Sequence, residues 1–249
     1  MRKKARLVRL LQHVIYDVTI GNGKGHSMEK VIAVFGAGPG LGLGVARHYA
    51  QKGYRVALLA RNPDNLAELR RGLLAEGFEA ETFQVDLADQ ASIAAAVDAI
   101  RASYGRIDAV HYSPNGNGGF TPAQAVQPEA MLTTLQGMFL GLVGVVQAVL
   151  PDLRKQGGGT ILAGFGGSAA HPAPFLSGPG PAMAAARNYL YFLRGERVGE
   201  NIEVGLITVS AIIRSSAFHQ AVEGGHVKLD MPAGVTIPQV EPSHLAMLL

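Results

Sequence analysis

An α/β fold, with a doubly wound parallel sheet held in three layers between helices, is predicted by three features of the 249-residue sequence. Short apolar runs rich in β-branched residues alternate with longer helix-patterned stretches, the pattern of parallel strands joined by crossover helices. The first run, Val31-Ile-Ala-Val-Phe35, opens directly onto Gly36-Ala-Gly-Pro-Gly-Leu-Gly-Leu-Gly44, whose glycines permit a tight strand-to-helix turn. At 48% hydrophobic and 16% charged residues, the chain can bury a full core.

The opening segment, 1–27, differs in character from the rest of the chain. Six of the 22 basic residues (Arg2, Lys3, Lys4, Arg6, Arg9 and Lys24) lie there against one acid, Asp17. The remainder holds 16 basic and 18 acidic residues, so it has no positive excess to meet a nucleic-acid backbone. Leu7 to Ile20 is broken by His13 and Asp17, which excludes a signal peptide, and Gly21 to Gly25 reads as a linker. Two readings stand: a vector-derived or mis-assigned start, and a targeting or membrane-surface leader. A single domain is expected over 28–249, starting at Met28.

Strand two is expected at Arg55 to Ala60, followed by Asn62 as cap and Pro63 as first residue of a helix reaching about Glu76. Glu79 to Val85 reads as strand three. The alanine-rich helix from Asp89 to Tyr104 is stopped by Gly105, and Ile107 to Tyr112 reads as strand four. Ala130 to Leu150 carries no charge and has the length of a membrane span. Thr133, Thr134, Gln136 and Gln147 interrupt it, however, and it lies between two strands, so it reads as a helix buried against the sheet or a second subunit. Thr160 to Ala163, Pro179 to Val198 and Glu203 to Val209 read as strand five, a helix and strand six. No internal repeat or second domain is expected.

The absence of cysteine excludes disulfides and zinc–thiolate sites and is compatible with a cytoplasmic location. No His, Asp or Glu cluster has metal-ligand spacing, and no Gly-x-Ser-x-Gly elbow occurs. The chemistry therefore rests on the glycine turn: at a helix N-terminus, bare backbone amides and the aligned peptide dipoles favour a diphosphate.

With that turn, Arg61 after strand two and Asp86 after strand three, the sequence from Glu29 to about Leu249 resembles the short-chain dehydrogenase/reductase family. The family motif Gly-x-x-x-Gly-x-Gly stands here as Gly36-Ala-Gly38-Pro-Gly40-Leu41-Gly42. The resemblance implies a Rossmann-type sheet, an oxidoreductase on a small carbonyl or alcohol, and a homodimer or homotetramer joined through the 129–154 and 179–198 helices. It further implies that Gly36, Gly38, Gly40, Leu41 and Gly42 cradle the diphosphate and that Asp86 and Leu87 flank adenine. Ser113 would lie in the loop beside the nicotinamide, and Ser215 would contact its carboxamide. Arg61 stands where a base meets the 2′-phosphate, so NADP is the expected cofactor. Arg61 as a solvated charge at a helix entry, and Asp86 as a helix cap, are the alternatives.

The catalytic positions depart from the family. In that register Pro179 takes the place of the proton-donating Tyr, Met183 that of the Lys, Gly166 that of the Ser, and Thr134 lies near the Asn. Tyr112, and Ser168 with His171, are the substitutes considered for the proton source; packing and ordinary loop composition are the competing readings, and packing is the reading for Tyr189 and Tyr191. A catalytically inactive NADP-binding module is the alternative function. Ser210-Ala211 replaces a Pro-Gly pair, and no last strand follows Glu241-Pro-Ser-His-Leu-Ala246. A shortened domain and a truncated one both fit that ending. The loops 113–127 and 211–240 are expected to form the substrate-side lid.

Overall fold

The computed structural model describes residues 29–114, 120–227 and 236–249. The expected leader, the start at Met28, and parts of the two lid loops lie outside the described residues. Six strands, β1 (Val31–Phe35), β2 (Arg55–Ala60), β3 (Ala80–Gln84), β4 (Ala109–Tyr112), β5 (Gly159–Gly166) and β6 (Ile202–Val209), form one sheet in the order β3-β2-β1-β4-β5-β6. Every pairing is parallel. The order reverses direction between β1 and β4, the kind of switch point at whose strand carboxyl ends ligands bind in open α/β sheets.

Strand alternation distributes β1 between two cores. Val31, Ala33 and Phe35 join Ile93, Val97, Leu142, Val146 and Leu190, from the helices α3 (Gln90–Tyr104), α5 (Gly141–Lys155) and α6 (Gly180–Glu196). Ile32 and Val34 join Val45, Leu66 and Leu245, from α1 (Leu41–Gln51), α2 (Pro63–Ala75) and α8 (Pro242–Ala246). The three-layer expectation is met.

Asn62 caps α2 by accepting from the amides of Asp64 and Asn65, and Asp89 caps α3 by accepting from Ala91. At the lower end of the sheet the Asp108 carboxylate accepts from the Val31 amide at 2.8 Å and pairs with Arg106. This ties β1 to β4 by a side chain as well as by the ladder.

The uncharged stretch is more divided than its composition implies. It runs as α4 (Pro128–Leu135), a π turn (Gln136–Leu140) and α5. A Cβ on Gly141 would sit 2.6 Å from the Tyr112 hydroxyl and 2.3 Å from the Leu87 carbonyl oxygen, so only glycine lets the helix come this close. The run Pro128–Lys155 has the length and hydropathy of a membrane span, yet Leu142, Val145, Val149 and Leu153 are fully buried in the core. Strand β5 extends three residues beyond the expected Ala163 to Gly166, because all eight of its residues find register with β6. Beyond β6, β7 (Ile212–Ile213) and β8 (Gln239–Val240) form a separate two-stranded sheet flanking α7 (Ala217–Glu223).

Candidate functional site

The glycine turn joins β1 to α1 at the switch point. Gly36 adopts φ +80, a left-handed conformation costly for other residues, and the amides of Gly36 and Ala37 both donate to the Leu59 carbonyl. The end of β2 is thereby held against the turn. Gly40 precedes α1 with no side-chain cap, leaving the first-turn amides without one. A Cβ on Gly38 would meet nothing within 4 Å, whereas one on Gly40 would lie 2.8 Å from the Ser216 Cβ. The cradle is open at Gly38 and walled at Gly40.

Three further strand ends converge on it. Ser113 follows β4; its amide donates to the Phe35 carbonyl, and its carbonyl carbon lies 2.8 Å from the Cβ position of Gly36. Gly164 of β5 faces Leu41 and Ser113, where a Cβ would lie 2.3 Å from Leu41 Cδ2 and 3.6 Å from Ser113 Cβ. Ser216 begins α7 by accepting from the His219 amide, and the preceding Ser215 is exposed at φ +61. The structure thus brings the glycines, Leu41, Ser113 and the Ser215–Ser216 pair together.

Arg61 and Asp86 stand at the ends of β2 and β3. The Arg61 side chain is exposed and carries no ion pair among the described residues, while its carbonyl accepts from Gln84. Asp86 is exposed and accepts from the Ala88 amide, and its own amide donates to Ser92. The helix cap is Asp89, so Asp86 is not needed there. Leu87 is buried.

The residues considered for proton transfer have different surroundings. Tyr112 is fully buried and donates to the Gly137 carbonyl in the π turn; burial pushes its phenol far above the usual range. Thr134 spends its hydroxyl on the Ala130 carbonyl. Ser168 lies buried in a turn after β5, close to Gly180, and His171 has a buried Nε2 without a partner among the described residues. Pro179 precedes α6, and Met183 reaches across so that the Gly166 amide meets its sulfur at 3.3 Å. Tyr189 packs edge-on to Phe139, and Tyr191 carries the Arg187 guanidinium over its ring.

One polar residue in this region was not picked out from the sequence. His111, on β4 two residues before Ser113, is fully buried, with Nε2 at 2.8 Å from the Ser113 hydroxyl and Nδ1 unpartnered among the described residues. Desolvation lowers its pKa to about 3, so the ring is neutral. A histidine inside an otherwise apolar strand was the available signal.

Comparison with known proteins identifies the family and the fold. The model of the short chain dehydrogenase family matches residues 30–220, and the chain belongs to that family, whose enzymes use a nicotinamide dinucleotide on small-molecule substrates. It is 35% identical to D-threitol dehydrogenase of Mycolicibacterium smegmatis over 53% of this chain and 51% of that protein. With sulfoacetaldehyde reductase 2 of Chromohalobacter salexigens it shares 26% identity over 71% of this chain and 70% of the relative. The chain thus spans about half the length of the first relative. Among solved structures, L-sorbose reductase from Gluconobacter frateurii with NADPH and L-sorbose superposes with a TM-score of 0.74 at 23% identity, covering 88% and 87% of the two chains. An actinorhodin polyketide ketoreductase with NADPH gives 0.78 at 21% identity, covering 88% of each chain. Both show the same fold.

Proposed function

We propose that this chain is an NADP-dependent short-chain oxidoreductase acting on a small carbonyl or alcohol through a non-standard active site. The observation that carries the reading is the uncapped start of α1 beside the open position at Gly38, with an exposed Arg61 guanidinium, unpaired among the described residues, at the end of the adjoining strand. These residues fit a diphosphate with a further phosphate nearby. In this reading Gly36, Gly38, Gly40, Leu41 and Gly42 hold the diphosphate and Arg61 the 2′-phosphate. Asp86 and Leu87 flank the adenine, and Ser113 and Ser215 face the nicotinamide end. When bound, the nicotinamide supplies hydride transfer.

Carbonyl reduction also requires a proton at the oxygen. Neither Pro179 nor Met183 can give one, and Tyr112 is read as a packing residue because its hydroxyl is committed inside the core. Ser168, with His171 on the same loop, remains the candidate. The domain is taken as 28–249, acting in the cytoplasm and self-associating through the 129–154 and 179–198 helices, which expose Leu132, Leu140 and Phe192.

A second reading, an inactive NADP-binding regulatory module, is favoured by the Met183 sulfur lying against the Gly166 amide, because both groups are non-titrating. Oxidation of NADPH against a broad carbonyl panel separates the two. Turnover supports the enzyme; tight NADPH binding without turnover supports the module; absence of binding removes both.

A further inference from the structure

The pairing of His111 with Ser113 is unexplained by the sheet and bears on the nucleotide site. In register, His111 sits between Val34 of β1 and Leu162 of β5, both members of the core beneath α1. Its ring is fully buried, Nε2 lies 2.8 Å from the Ser113 hydroxyl, and Nδ1 has no partner among the described residues. A neutral imidazole has one protonated nitrogen. A proton on Nδ1 would leave a buried N–H with nothing to receive it, whereas a proton on Nε2 is used at once by the Ser113 oxygen and leaves only a bare acceptor at Nδ1. Orphaned buried donors are the rarer and costlier outcome. The Nε2–H form is therefore favoured, and in it Ser113 accepts from His111 and keeps its own hydroxyl proton.

We propose that His111 is a positioning residue that holds Ser113 as a directed hydrogen-bond donor toward a ribose or phosphate oxygen of the nucleotide bound at the glycine turn. Ser113 is half-exposed, adjoins Gly36 and is fixed by its amide bond to Phe35, so the His111 contact leaves the free proton to the open side. The geometry also separates this pair from a nucleophilic Ser–His arrangement: among the described residues no acid or carbonyl orients Nδ1, and His111 in this tautomer donates to the serine instead of taking its proton. The ligand part of the inference rests on the nucleotide reading above; the tautomer does not.

Two measurements on the full chain test it. Long-range proton–nitrogen correlation spectra at neutral pH, with the His111 signals assigned by their loss in His111→Gln, report the tautomer directly; Nε2–H is expected, and a protonated Nδ1 overturns the proposal. Calorimetric titration with NADPH and NADH is then compared across variants. Ser113→Ala weakens both nucleotides about fivefold, and His111→Leu does the same with no further loss in the double variant. His111→Gln, whose amide can still donate to Ser113, stays within about twofold. Unchanged affinity in Ser113→Ala, with normal binding by the natural chain, overturns the proposal and leaves the nucleotide reading intact. Failure of the natural chain to bind either nucleotide overturns the nucleotide reading and the ligand part of this one, whatever the tautomer. Should His111→Leu fail to fold, the serine and glutamine variants still decide.

Discussion

Gly36 and Pro114 meet so closely that a Cβ on the glycine would lie 2.6 Å from the Pro114 Cα, and Gly36 is also held at φ +80. The two constraints add. Left-handed strain costs an alanine about 1–2 kcal/mol, and forcing a methyl against backbone costs about 1–3 kcal/mol. Gly36→Ala is expected to lower stability by about 2–5 kcal/mol in urea unfolding and to displace the loop that carries Ser113. A loss below about 1 kcal/mol would mean that the turn is looser than described.

Arg61 is exposed and unpaired among the described residues, so its removal breaks no ion pair described there. A charge-assisted contact to a phosphate contributes about 1.5–3 kcal/mol, or about ten- to a hundredfold in affinity. Arg61→Ala is expected to weaken NADPH by at least about tenfold and to leave NADH within about twofold, as read by fluorescence titration. Equal losses for both would assign Arg61 to the helix entry instead.

Tyr112→Phe removes the donor to the Gly137 carbonyl at the π turn. The expected cost is about 1–3 kcal/mol of stability, with nucleotide affinity kept. Burial raises the phenol above its ordinary 10.0, and Tyr49 and Tyr104 are raised in the same way. A raised folded-state pKa gives stability that is whole below the unfolded value and is lost as pH rises above it. Alkaline unfolding is therefore expected to steepen beyond about pH 10, and Tyr112→Phe flattens part of it. The check is a series of urea curves from neutral to alkaline pH.

His111 works in the opposite direction. Its folded pKa of about 3 lies below the ordinary 6.5, so its stabilising contribution is present above 6.5 and is lost as pH falls toward 3. One proton is taken up on unfolding across this window, about 1.4 kcal/mol per pH unit. Acid titration of stability is expected to show that slope in the natural chain and to lose it in His111→Gln.

The fold was legible where one signal fixed one element. Asn62-Pro63 and Asp89 announced their helices, and Gly105 ended one in a left-handed residue. The interruption at Gln136–Leu140 was hidden, because apolar periodicity does not register a π turn; it lies directly before Gly141, which approaches Tyr112 and Leu87, residues distant in sequence. The β7–β8 pair was hidden for a similar reason, being two residues long on each side. The places of Arg61 at the end of β2 and of the glycine turn between β1 and α1 could be read from their neighbours alone. The burial of Tyr112 and the His111–Ser113 contact could not, since both depend on which face of β4 meets which helix.

An oxidoreductase role for this chain requires that the amides following β1 grip a dinucleotide. Isothermal titration of the full chain with NADPH and with NADH tests it most directly. Saturable heat with NADPH, at least about tenfold tighter than with NADH, is the expected result; no heat with either nucleotide contradicts it.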